Sequence, residues 1–176
     1  MPGRYFLTLP LAPIAEAFGL TLEAPDPGPR LDAAPGEEVA IMLPGRMTTA
    51  RWGMVMSGRV NARGRPVMET IVNARSETVF SKSAFAGVQR AVLPVGGWYE
   101  WTGTRGRKTR WQISAREDEV LLFAAICDVA EYHHRMPVLL IPSDLTLWLE
   151  GDEARAKDLM VPAAEGLLKV EKSTLR

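Results

Sequence analysis

A chain of 176 residues that is 47% hydrophobic and 24% charged has the composition of one soluble globular domain, residues 1–176, and excludes a disordered or fibrous protein. Such a chain buries about 70% of its unfolded surface, so a core needs neither disulfides nor a structural metal, and the single cysteine, Cys127, excludes an internal disulfide. Net charge is zero, from 21 basic and 21 acidic residues, yet residues 42–111 hold twelve Lys or Arg against three acids. That segment is +9 and the flanks together are −9. The asymmetry predicts a basic face that attracts phosphates, although a solvated arginine-rich surface gives the same count.

In chain order, short runs rich in β-branched and aromatic residues predict strands at 4–9, 39–43, 51–56, 67–73, 91–95, 110–114, 120–128 and 136–141. Helices are fewer. Leu11, Ile14, Ala15 and Phe18 share one face of a helix over 11–18 that stops at Gly19. Further short helices are expected at 81–90, behind a serine cap at Ser81, at 144–150, behind Ser143, and at 152–160. Residues 21–36, rich in Pro, Gly and acids, read as a loop, as do 103–108 with their basic Arg105-Gly106-Arg107-Lys108 tip. Strands follow one another without helices long enough for parallel crossovers. The expected class is therefore α+β: a β-rich single domain with a central antiparallel or barrel-like sheet and a few short helices. The longest apolar run, 120–127, is far short of a membrane span, and Met1 precedes Pro2-Gly3-Arg4 rather than an apolar leader. A cytoplasmic protein is expected.

General catalytic templates are absent: there is no Walker-type loop, no Gly-x-Ser-x-Gly elbow and no Cys-x-x-Cys pair. Cys127 lies within an apolar strand pattern and reads as core. His133 and His134 are the only histidines, which excludes a three-histidine metal site, and no metal or cofactor is expected. Three polar blocks stand out. Gly97-Trp98-Tyr99-Glu100-Trp101 sets one carboxylate among three aromatics, where desolvation would raise its pKa and suit it to proton transfer. A structural glutamate paired with an arginine explains that block equally well. Asn73-Ala74-Arg75-Ser76-Glu77 follows one predicted strand, and His133-His134-Arg135-Met136-Pro137 leads into another.

Taken together and in order, Met1-Pro2-Gly3-Arg4-Tyr5, Arg51-Trp52-Gly53, Asn73-Ala74-Arg75-Ser76-Glu77-Thr78, Leu93-Pro94 with Gly97-Trp98-Tyr99-Glu100-Trp101, and His133-His134-Arg135-Met136-Pro137-Val138 resemble the SOS response-associated peptidase (SRAP) family, from residue 1 to about Leu149. The resemblance implies a compact β-rich monomer that binds single-stranded DNA and reacts covalently with abasic sites, with no membrane partner. In that family the chain starts Met-Cys-Gly-Arg, and the exposed cysteine captures the abasic aldehyde as a thiazolidine through its amine and thiol. Matching motif to motif, the catalytic positions fall on Pro2, Asn73, Glu100 and His133, with His134 at the variable position. The DNA-contact positions fall on Arg4, Trp52, Arg75 and Arg135, all suited to forked phosphate contacts or base stacking.

Two departures matter. Pro2 stands where the family has cysteine, so thiazolidine formation is excluded, and the stretch between Leu122 and His133 is short for the family. Proline leaves two outcomes open: an N-terminal secondary amine that forms a transient iminium with a lyase outcome, or a silenced site on a single-strand binding module. A peptidase acting in trans is disfavoured, because no activated nucleophile is visible.

Overall fold

The apolar run Val39-Ala40-Ile41-Met42-Leu43 forms most of β4 (Glu38–Leu43), whose residues after Glu38 are all buried. Leu43 pairs with Arg46, so the two-residue connection Pro44-Gly45 returns the chain directly into β5 (Arg46–Arg51). Gly45 adopts φ +71°, a conformation that costs a side-chain-bearing residue strain and glycine almost nothing. The computed structural model describes residues 3–55, 62–63, 70–81, 85, 88–104, 106–116, 119–127 and 137–174.

The remaining strands are β1 (Tyr5–Leu7), β2 (Thr21–Leu22), β3 (Arg30–Ala33), β6 (Met54–Val55), β7 (Thr70–Ile71), β8 (Gln89–Val95), β9 (Gly97–Thr104), β10 (Arg107–Ala115), β11 (Leu121–Cys127), β12 (Leu139–Leu140) and β13 (Leu168–Lys172). They form a five-stranded sheet in the order β13-β10-β9-β1-β3 and a six-stranded sheet in the order β12-β11-β8-β4-β5-β2, with β6 and β7 as a separate pair. Among the described residues every pairing is antiparallel except β2 with β5. The apolar faces of the two large sheets meet: Trp98 of β9 stands edge-on to Phe123 of β11, ring centroids 5.4 Å apart, in a core that also holds Tyr5, Met42, Met47 and Val92. This is the β-rich α+β domain expected, built as two mainly antiparallel sheets with few short helices.

The helices are α1 (Leu11–Ala17), α2 (Leu145–Glu150) and α3 (Glu153–Asp158). Helix α1 buries Leu11, Ile14 and Ala15; Pro10 cannot cap it, and Asp26 accepts from Leu11 N at 2.7 Å instead. Helix α2 buries Trp148 against β8, its indole N–H donating to Ala91 O at 2.8 Å, which satisfies the one polar atom of that side chain. Arg90 of β8 donates to Gly151 O at the end of α2, where unpaired carbonyls favour a cation. Asp152 caps α3 by accepting from Arg155 N. No helix among the described residues is long and apolar enough to cross a membrane.

Several local expectations are corrected. The helix expected over 81–90 does not form at its ends: Ser81 lies in a turn, and Gln89 and Arg90 are drawn into β8 by pairing with Cys127 and Ile126. The loop at 21–36 contains β2 and β3. The loop at 103–108 is the closed end of the β9–β10 hairpin. Cys127 ends β11, but its side chain lies outside the described residues.

Candidate functional site

Tyr5 is the point at which three separate sequence blocks meet. Its backbone pairs with Trp98, and Phe6 with Gly97, while Tyr99 N donates to Arg4 O at 3.0 Å. That register runs the start of the chain alongside β9 toward Glu100. Glycine is required at 97 because a Cβ there would lie 2.3 Å from Ile113 O and 2.6 Å from the Phe6 ring, so β1, β9 and β10 close only without one. On its other side the Tyr5 ring packs against Trp52 at 5.4 Å, and Trp52 Nε1 donates to Val72 O at 3.3 Å, one residue before Asn73. Burial pushes the Tyr5 phenol above its ordinary pKa, with Arg30 opposing the rise and Glu37 adding to it.

Of the sequence-predicted residues, Arg4, Trp52, Asn73, Arg75 and Glu100 are described and all are half-buried. Asn73 and Arg75 lie on an irregular segment after β7, and Arg75 O accepts from Thr78 N and Val79 N, closing a helical turn. Pro2, His133 and Arg135 lie outside the described residues. Glu100 sits on β9 opposite Trp111 of β10. Strand alternation puts Glu100 on the face of Trp98 and Trp111 and sends Tyr99 and Trp101 to the other face. The carboxylate therefore has two aromatic neighbours on its own face, one of which the block 97–101 does not contain.

The opposite face carries a cluster that sequence reasoning missed. Asp32 of β3 accepts from Arg4 at 3.0 Å through one oxygen and from Arg110 at 2.5 Å through the other. The Arg110 guanidinium lies 3.7 Å from the centre of the Tyr99 ring and 5.5 Å from that of Trp101, and Tyr99 packs on Phe6 at 5.4 Å. Tyr99 Oη donates to Leu31 O at 2.9 Å. Burial raises the Tyr99 pKa, Arg110 counteracts it, and Asp32 adds to it. Arg4, assigned by resemblance to DNA contact, is thus held by a carboxylate in this structure. No local signal marks Asp32, whose partners stand 28 and 78 residues away in sequence.

The basic segment is also divided. Arg46 pairs with Glu23 at 3.0 Å, Arg51 donates to Gly53 O, Arg90 serves α2 and Arg110 serves Asp32. Arg107 and Lys108 are exposed at the hairpin end. Among the described residues no three His, Cys, Asp or Glu side chains gather as metal ligands.

Residues 1–132 match the sequence profile of the SOS response associated peptidase (SRAP) family. The chain belongs to that family. The match ends one residue before His133, so the histidine block of this SRAP protein lies beyond the matched stretch. Similar solved structures include a protein from Bacteroides thetaiotaomicron, with TM-score 0.78 and 18% identity over 97% of this chain and 91% of that one. A protein from Bordetella bronchiseptica gives 0.73 and 18% over 98% and 100%. A phage-related protein from the same organism gives 0.75 and 22% over 98% and 94%. At these identities the likeness shows the shared fold. No curated protein sequence matches this SRAP chain significantly.

Proposed function

We propose that this SRAP protein binds single-stranded DNA and senses or processes abasic sites through its N-terminal residue, within the DNA damage response. The observation that carries the reading is the register of β1 on β9, which directs the start of the chain toward Glu100, while Trp52 ties Tyr5 to the segment of Asn73. Removal of Met1 gives Pro2 a secondary amine with a pKa of about 8, part of it neutral at physiological pH. That nitrogen attacks C1′ of the open-chain sugar. Glu100 delivers a proton as the carbinolamine hydroxyl leaves as water, and an iminium forms. With no thiol to close a ring, the iminium either takes water back or loses the C2′ proton and expels the 3′ phosphate. Asn73 holds the amine through its side-chain carbonyl, and His133 assists proton transfer at the sugar oxygen.

One observation favours a second reading. Proline at position 2 removes the thiol on which the family's durable product depends, leaving a single-strand binding module without covalent chemistry. Mixing the protein with abasic single-stranded DNA and borohydride separates the two, read by intact mass. Reaction at Pro2 traps a reduced crosslink, and without borohydride no long-lived adduct remains. Pro2→Cys then yields a stable crosslink. If only the cysteine variant reacts, the proline has silenced a working pocket; if neither reacts, the covalent reading is lost.

A further inference from the structure

One carboxylate of β3 occupies two arginines. Asp32 accepts from Arg110 through Oδ1 at 2.5 Å and from Arg4 through Oδ2 at 3.0 Å, so each of its oxygens is engaged. The two arginines are held differently. Arg110 is 12% exposed, and its guanidinium also lies 3.7 Å from the centre of the Tyr99 ring, whose hydroxyl donates to the carbonyl of Leu31, next to Asp32. The Arg4 side chain is 43% exposed, while its backbone is fixed by Tyr99 N–H donating to its carbonyl.

That difference decides which contact is exchangeable. Breaking the Arg110 contact leaves a nearly buried cation without its carboxylate, which is costly. Breaking the Arg4 contact returns a half-exposed guanidinium to water at little cost. Arg4 is therefore the exchangeable partner, and the other acceptor that suits a guanidinium fork is a phosphate oxygen. Two features favour Asp32 over such a phosphate. Arg110 already orients the carboxylate, and the pairing of Tyr5 with Ala33 ties its strand to β1, so Arg4 meets it within one molecule at a high effective concentration. A phosphate reaching the same guanidinium also stands beside the Asp32 charge, and the two anions repel.

We infer that Asp32 is an internal stand-in for a DNA phosphate, which withholds Arg4 from the single strand and lowers the affinity of this SRAP protein for the strand's backbone. Asp32 is thus a specificity-determining residue, because side chains other than Arg4 must hold the strand. The inference rests on the single-strand binding proposed above and reverses the role that family resemblance gives Arg4.

Binding of a labelled oligothymidylate is measured by fluorescence anisotropy across a salt series. The proteins are the wild type, Asp32→Asn, Arg4→Gln and the double variant Arg4→Gln/Asp32→Asn. Asparagine keeps a carbonyl oxygen for Arg110 and removes the charge that holds Arg4. Freeing Arg4 for one phosphate should steepen the slope of log K against log salt by about 0.7, an advantage over wild type that grows about 5-fold from 1 M to 0.1 M salt. Arg4→Gln alone should keep the wild-type slope, and in the double variant the gain should vanish. A slope lowered by about 0.7 in Arg4→Gln would mean that Arg4 reaches the strand despite Asp32 and would overturn the inference. So would a gain that survives in the double variant, which makes it a general charge effect, or no gain in Asp32→Asn. If Asp32→Asn does not fold, the comparison of wild type with Arg4→Gln decides alone. Failure of both the wild type and folded Asp32→Asn to bind at any salt removes the proposed single-strand binding as well, whereas the other adverse results leave it standing.

Discussion

On one face of the β9–β10 hairpin, Trp98 and Ile113 enter the core while Glu100 and Trp111 stand at its margin. On the other face, Tyr99 and Arg110 are gathered under Asp32 with Arg4. The same two strands therefore carry two polar arrangements of different kinds. On the Asp32 face one carboxylate holds two guanidiniums, one of them over the Tyr99 ring, an arrangement that fastens β3 to β10 and to the residue leading into β1. The Glu100 face sets a carboxylate where the start of β1 arrives. Under the proposed function, alternation along one strand separates fastening the strands together from the chemistry assigned to Glu100.

The sharpest test of that separation is Glu100→Gln, which should slow adduct formation or strand cleavage by about 10²- to 10⁴-fold while leaving DNA affinity nearly intact. Equal losses of rate and binding would give both faces a structural role. Next in size is Asp32→Ala. Arg110 is only 12% exposed and loses its charged partner, so chemical denaturation should show a stability loss of about 2 to 3 kcal/mol. Arg4→Gln should cost less than about 1 kcal/mol, because that pair is 43% and 37% exposed and solvent screens it. Similar small losses for the two variants would reduce the cluster to an ordinary surface pair.

The smallest effect is expected at alkaline pH. The folded state holds the Tyr5 phenol above its ordinary pKa, so Tyr5 contributes stability that is complete below about pH 10 and is lost as pH rises through the folded value. Thermal melts from pH 8 to 11 should show this decline, and Tyr5→Phe should flatten it. A decline unchanged in the variant would assign the alkaline sensitivity elsewhere.

Much of the fold was legible where local pattern and tertiary pairing agree. The run 39–43 became β4, the Leu11, Ile14 and Ala15 face became α1, and 91–95 became the centre of β8. Strand β9 was hidden because Gly97-Trp98-Tyr99-Glu100-Trp101 is apolar on both faces near the core and polar beyond it, so no single alternation runs through it. The Pro-rich stretch 21–36 conceals β3, a strand that exists because β1 needs a second neighbour. Of the candidate site, the motif blocks marked Trp52 and Asn73, and the structure joins Tyr5, Trp52 and the segment of Asn73. Asp32 was not legible. Its role depends on partners from β1 and β10 that only the sheet order brings to the same place.

That sheet order has a consequence in time. The first strand of the chain is an inner strand, and its partner β9 begins about 90 residues later. During synthesis at about 5 to 20 residues per second, β1 waits about 5 to 18 seconds for that partner. Of the inner strands of the two large sheets, β1 thus waits over the longest stretch of chain for its second neighbour.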